Sequence, residues 1–81
     1  VFPQVLMNVP VKTQPAISHI PGLAEAIAAM EQQLGDTGRV LVRYSGTQPM
    51  CRIMVEASTK AEATRFCRQL AEIVRAHIGK E

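Results

Sequence analysis

The sequence is poor in several residue types that mark specialised proteins. It has no tryptophan, one tyrosine and two phenylalanines, so its core must be mainly aliphatic and it offers few rings for stacking nucleic-acid bases. Its two cysteines, Cys51 and Cys67, are too few for a disulfide scaffold, and their spacing matches no zinc site. We interpret them as reduced core thiols of a cytoplasmic protein.

Strong charge and long apolar runs are also missing. A net charge of +2 over 81 residues calls for neither nucleic acid nor a membrane surface as partner. The apolar runs are too short to span a bilayer, and the first residues show no secretory signal. Because the chain begins at Val1 rather than methionine, we expect a processed chain or an excised fragment. The length suits one small domain, residues 1–81.

Alternating hydrophobicity predicts three strands. Val5, Met7, Val9 and Val11 occupy every second position, and Pro10 among them makes this an edge strand or a strand end, since proline has no N–H for the ladder. Residues 39–44 and 51–57 show the same period of two. The predicted inward positions of these two strands are Val40, Val42, Tyr44, Cys51, Ile53, Val55 and Ala57.

Two segments have helical spacing instead. Leu23, Ile27, Met30 and Leu34 define one face of a helix near 21–34, with Gly35 as its cap. A second helix is predicted near 60–78, behind the T-x-x-E capping spacing of residues 59–62. Its apolar stripe is formed by Ala63, Phe66, Cys67, Leu70, Ile73, Val74 and Ile78.

The resulting order, β-α-β-β-α, predicts an α+β fold. Strands and helices of this size bury their apolar faces by stacking in layers, so we expect both helices on one face of a mostly antiparallel sheet. If the third strand lies between the first two, the first βαβ unit is split.

Between the second and third strands lies the segment Arg43-Tyr44-Ser45-Gly46-Thr47-Gln48-Pro49. The guanidinium of Arg43 matches phosphate oxygens, and Ser45 and Thr47 add hydroxyls. Gly46 allows close approach of the backbone and dihedrals that turn N–H groups inward as an anion-binding nest. None of these groups is a base or an activated nucleophile, which indicates binding rather than bond breaking. The same composition also suits an ordinary surface turn.

This segment resembles the R-x-S-G-T-E-P phosphate-binding loop of the α-D-phosphohexomutase superfamily. Its flanks, Gly38–Val42 and Arg52–Glu56, are similar to the corresponding strands of the phosphoglucosamine mutases. Residues 3–9 resemble the strand that opens the same TBP-like C-terminal domain. The similarity runs nearly from end to end of the chain.

The resemblance implies that residues 1–81 are the last, substrate-phosphate-binding domain of a four-domain enzyme. That enzyme would interconvert glucosamine 6-phosphate and glucosamine 1-phosphate for bacterial cell-wall precursors. Its phosphoserine and Mg²⁺ lie in other domains, so this fragment would bind no metal and be inactive alone. Its expected partners are the phosphosugar substrate and the other domains of the parent chain, with no nucleic acid and no membrane.

The resemblance also assigns the site. Arg43, Ser45, Gly46 and Thr47 would hold the phosphate that is not reacting, and Arg52 would add a second cation if the hairpin brings it beside Arg43. Position 48 departs from the family, because Gln48 replaces the usual glutamate and cannot form an ion pair with a nearby arginine.

Two other functions remain open at this point. One is the same domain of a phosphomannomutase or phosphoglucomutase; the other is a free-standing anion- or RNA-binding module. Arg65, Arg68 and Arg75 lie along the second helix, as in a nucleic-acid-binding stripe. Glu62 and Glu72 interrupt that stripe at pairing distances, so we predict a solvated, salt-bridged face.

Overall fold

The computed structural model describes residues 2–80. Three strands and two helices occur in the predicted order, with short 3₁₀ turns at Ile17–His19 and Gly35–Thr37. The elements are β1 (Gln4–Pro10), α1 (Leu23–Leu34), β2 (Arg39–Tyr44), β3 (Met50–Glu56) and α2 (Lys60–Ile78). The predicted α+β class is confirmed.

The sheet has the order β1-β3-β2, and both strand pairs are antiparallel. β3 therefore lies between the two strands that precede it in the chain, which confirms the split βαβ arrangement. β1 is an edge strand and Pro10 is its last residue, so the missing N–H of this proline is tolerated.

One face of the sheet is covered and the other is open. Alternate residues of each strand point towards the helices, with α2 lying against β1 and β3 and α1 against β2 and α2. The core is aliphatic as predicted, and Phe66 is its buried aromatic member. The most completely buried large side chains are Ile20, Leu23, Ile53, Leu70, Val9, Val11, Val55 and Val74.

The ends of both helices have local causes. α1 begins at Leu23 rather than at residue 21, because Gly22 adopts a left-handed conformation with φ of 80° and caps the helix. Gly35, with φ of 54°, ends it as predicted. α2 begins where the Glu62 N–H donates to Thr59 Oγ1 at 3.1 Å. Within residues 2–80, neither helix has the length and apolarity needed to cross a bilayer.

Candidate functional site

The loop of residues 45–49 joins β2 to β3 and is tied to the body of the domain at its base. The Ser45 N–H donates to the Met50 carbonyl at 2.8 Å, and the Met50 N–H donates to the Gln48 carbonyl at 2.8 Å. The Pro49 carbonyl accepts from the Val11 N–H, also at 2.8 Å, just beyond the end of β1. The loop is therefore a closed hairpin turn whose exit is attached to the edge strand.

Arg43 and Arg52 are directly opposite each other across β2 and β3. Both are exposed and lie on the open face of the sheet, immediately beside the loop. Asn8 is opposite Arg52 on the other side, in β1. Residues directly opposite in an antiparallel pair have Cβ atoms about 4.5–5.5 Å apart, so both guanidinium groups reach the same space. The expected placement of Arg52 beside Arg43 is confirmed.

No carboxylate neutralises this arginine pair within the described part of the chain. The ion pair found among residues 2–80 joins Arg39 Nε to Glu56 Oε1 at 3.6 Å, at the opposite end of the same strands. Like charges that face each other across a sheet are destabilising, and a bound anion would remove that repulsion. The two arginines thus create a local positive electrostatic potential, which favours the binding of an anion.

The loop supplies further donors. Ser45 Oγ accepts a hydrogen bond from the Thr47 N–H at 3.3 Å, which leaves the Ser45 O–H proton free to donate elsewhere. Thr47 is exposed, and Ser45 is half-buried beside Arg43. Within residues 2–80 the Gly46 N–H has no hydrogen-bond acceptor. Hydroxyl and amide donors therefore sit within the same turn as the arginine pair.

The conformation expected for Gly46 is wrong in one respect. Positive φ angles occur, among the described residues, at Gly22 and Gly35, so Gly46 does not use the left-handed region. A nest built from such dihedrals is not formed in this loop. A Cβ added at Gly46 would meet no atom within 4 Å, so the glycine leaves open space rather than satisfying a backbone requirement.

A row of apolar side chains beside the arginines was not predicted. Leu6, Met54 and Leu41 are consecutive partners across the three strands, on the open face. Leu6 is 57% exposed and Leu41 is 51% exposed. With the arginine pair they line a shallow depression of about 360 Å³. The signal in the sequence is the presence of apolar residues at the outward positions of strands, where a solvent-facing sheet usually carries polar residues.

Among residues 2–80, the remaining reactive side chains do not come together as a second site. Cys51 and Cys67 are free and buried, and burial raises the pKa of both thiols, which makes them poor nucleophiles. His19 and His77 are exposed on separate elements. Residues 2–80 bring together no group of three histidine, cysteine or acidic side chains able to hold a metal ion.

The predicted salt-bridged face on α2 is wrong. Its glutamates form no ion pair with arginine within 4 Å among residues 2–80. Glu62 Oε1 instead accepts from Ser58 Oγ at 3.5 Å, and the Arg65 guanidinium lies 5.2 Å from the centre of the Phe66 ring. Helical spacing allowed pairing on this surface but did not enforce it, because exposed ion pairs contribute little free energy.

The chain is similar to phosphosugar mutases along nearly its whole length. It is 52% identical over 79 residues to a phosphoglucosamine mutase of Syntrophus aciditrophicus and 53% identical over 79 residues to one of Syntrophobacter fumaroxidans. These matches cover 98% of this chain and 18% of each relative. The chain therefore spans less than a fifth of the length of these curated relatives.

Solved structures of phosphosugar mutases contain a region with the same fold as this chain. The chain matches the N-acetylphosphoglucosamine mutase of Aspergillus fumigatus, crystallised with GlcNAc-6P and magnesium, with a TM-score of 0.75 and 26% identity over 98% of this chain and 16% of that one. The model of the phosphoglucomutase/phosphomannomutase C-terminal domain matches residues 6–73. This chain belongs to the family of phosphoglucomutase/phosphomannomutase C-terminal domains.

Proposed function

We propose that this chain is the C-terminal domain of a phosphoglucosamine mutase, and that it holds the non-reacting phosphate of the sugar substrate. The observation that carries the proposal is the unneutralised pair formed by Arg43 and Arg52 at the mouth of the loop. Relatives that are about half identical over 98% of the chain carry that enzyme name, which supports glucosamine phosphates as the substrate class.

The two arginines supply the charge of the phosphate grip. A guanidinium presents parallel N–H donors that match two phosphate oxygens, and the register of β2 and β3 gives two such groups one target. The Ser45 and Thr47 hydroxyls and the free Gly46 N–H then serve the remaining oxygens. The hairpin fixes the backbone that presents the Ser45, Gly46 and Thr47 donors, so binding orders mainly the two exposed arginine side chains.

This grip acts through binding and orientation. A phosphate anchored away from the reacting centre supplies binding energy that positions the sugar for chemistry elsewhere. The donors recognise a phosphate monoester without reference to its position on the sugar. The same site therefore serves the 6-phosphate and the 1-phosphate in turn, as interconversion of the two esters requires.

The rest of the enzyme lies outside this chain in our proposal. Residues 1–81 form the last of four domains, and the phosphoryl-transferring group and Mg²⁺ belong to the others, so the isolated domain has no mutase activity. The described residues offer no ligand set that fits Mg²⁺. We assign the exposed apolar row formed by Leu6, Met54 and Leu41 to the contact with a neighbouring domain of the parent, because large apolar side chains grouped on a surface typically mark an interface. Two free buried thiols suit a cytoplasmic enzyme.

An amide NMR titration of this chain with glucosamine 6-phosphate tests the proposal. Shifts are expected at Arg43, Ser45, Gly46, Thr47 and Arg52, with the same residues responding to inorganic phosphate. Unphosphorylated glucosamine at equal concentration is the control for the sugar alone. Absence of phosphate-dependent shifts at tens of millimolar, or shifts spread over α2 instead, would contradict the assignment of the loop.

Sugar class is tested separately in the parent enzyme. Turnover of glucosamine phosphates well above that of mannose or glucose phosphates is expected. A preference for mannose or glucose phosphates would keep the phosphate site but replace the proposed enzyme by a phosphomannomutase or phosphoglucomutase. Oligonucleotide binding with a steep salt dependence would instead indicate a nucleic-acid-binding module.

A further inference from the structure

The segment of residues 11–16, here called the connector, contacts both ends of the loop. At the loop exit the Val11 N–H donates to the Pro49 carbonyl at 2.8 Å. At the loop entry the Tyr44 hydroxyl donates to the Pro15 carbonyl at 2.6 Å. The connector precedes α1 in the chain and the loop follows β2, so these contacts join segments that are distant in the sequence. One contact lies at each end of the loop.

The connector is itself anchored. Val11 is 1% exposed and pairs with Gly79 at the end of α2. The Lys12 N–H donates to the Ile78 carbonyl at 2.9 Å. The ring of Pro15 fixes one backbone dihedral next to the carbonyl that Tyr44 uses. The loop exit is therefore joined to the end of α2 through Val11, and the loop entry is held by the same segment at Pro15.

Tyr44 is placed to transmit this anchoring to the proposed phosphate donors. It lies between Arg43 and Ser45 in the chain, but its side chain is on the helix-covered side of β2 and packs against the core. Burial, with a smaller contribution from Cys51, raises the pKa of the Tyr44 phenol, so its hydroxyl keeps the proton that it donates. Fixing the Tyr44 side chain fixes the backbone from which the two neighbouring donors project.

We propose that Tyr44 is a positioning residue of the phosphate site, which acts through its hydrogen bond to the connector and does not touch the ligand. The inference rests on the proposed function, because the site that it positions is the phosphate loop. Its physical basis is preorganisation: a loop held in the binding geometry loses less conformational freedom when the anion binds.

Tyr44→Phe tests the proposal, because it removes the hydroxyl and keeps the ring that packs against the core. We expect the dissociation constant for glucosamine 6-phosphate, measured by amide NMR, to rise about 2- to 10-fold. Backbone ¹⁵N relaxation of residues 45–48 should report lower order parameters, while α2 stays unchanged. Thr37→Val is the matched control, because the Thr37 hydroxyl also donates to a backbone carbonyl, that of Leu34, at the far end of β2.

The outcomes separate this inference from the proposed function. If wild type binds no phosphate, the proposed function fails, and greater mobility of residues 45–48 in Tyr44→Phe still supports the anchoring. If wild type binds and Tyr44→Phe matches Thr37→Val in both affinity and loop order, the inference is overturned. Should Tyr44→Phe not fold, ¹⁵N relaxation of the wild type replaces it, because preorganisation requires residues 45–48 to be as ordered without phosphate as with it. A wild-type loop that becomes ordered only when phosphate binds overturns the inference.

Discussion

Substitution of Arg52 by glutamine should change stability and phosphate binding in opposite directions. Arg52 and Arg43 are cross-strand partners on the open face, and neither has a carboxylate partner within residues 2–80. Without an anion, the two guanidinium groups repel each other. With phosphate bound, each becomes a donor to the same charge. One substitution therefore removes an unfavourable contact from the free domain and a favourable contact from the complex.

The effect on the free domain is small and has a defined sign. Like charges at directly opposed positions cost a few tenths of a kcal/mol to about 1 kcal/mol, and exposure of both side chains places this pair near the lower end. We expect Arg52→Gln to raise the free energy of unfolding by about 0.2–0.5 kcal/mol at low ionic strength. This increase in the free energy of unfolding should become smaller as salt approaches 1 M, where the Debye length falls to about 3 Å.

The effect on the complex is larger. A charge-assisted hydrogen bond contributes about 1.5–3 kcal/mol, and the exposed setting of Arg52 favours the lower value. Arg52→Gln should therefore weaken phosphate binding about tenfold. At a concentration of 100 times the dissociation constant, a ligand stabilises the folded state by about 2.7 kcal/mol. In saturating phosphate, wild type should consequently become the more stable of the two proteins.

Urea unfolding followed by circular dichroism, with phosphate or with chloride at matched ionic strength, measures this crossover. Arg68→Gln is the control, because Arg68 is an exposed residue of α2 that carries the same charge and lies away from the open face of the sheet. Arg43→Gln alone and the combined Arg43→Gln and Arg52→Gln protein complete a double-mutant cycle for the repulsion. Lower stability of Arg52→Gln than of wild type in chloride would refute the repulsion between the two arginines. A phosphate affinity of Arg52→Gln equal to that of Arg68→Gln would refute the role of Arg52 in phosphate binding.

Three further predictions concern the scaffold of the site. Ile53→Ala, in the centre of the core, should lower the free energy of unfolding by about 2–5 kcal/mol. Leu41→Ala, on the open face, should change it by less than about 0.5 kcal/mol. Equal losses of stability in urea unfolding would contradict a core on one side of the sheet. Gly38→Ala should cost about 1–3 kcal/mol, because its Cβ would lie 1.9 Å from a carbonyl oxygen of β3, and an unchanged urea midpoint would refute this contact. Since burial raises the pKa of the Cys51 and Cys67 thiols, the unfolded chain loses these protons first, so stability should fall as pH rises through the ordinary thiol value of 9.0. Replacement of both cysteines by alanine should remove that part of the pH dependence.

Local patterns in the sequence were sufficient to predict the strands and helices of this fold. The period of two in β1, β2 and β3 and the helical spacing in α2 reflect side-chain directions that the backbone imposes, so their boundaries agree with the structure to within one residue. α1 was the exception, because the left-handed Gly22 delays its start. The hydrogen-bond donors of residues 43–49 indicated an anion-binding loop. The resemblance of the same residues to a known phosphate-binding loop then indicated the protein family.

Contacts between segments distant in the chain were decided only by the tertiary structure. The strand order β1-β3-β2 aligned Leu6, Met54 and Leu41 into one apolar row on the open face. The bond from Tyr44 to the connector spans 29 positions of the chain. Periodicity indicates which side of an element is buried, because it depends on neighbouring residues. It contains no information on what lies across from each side chain, because register and packing are set by the joint burial of all elements.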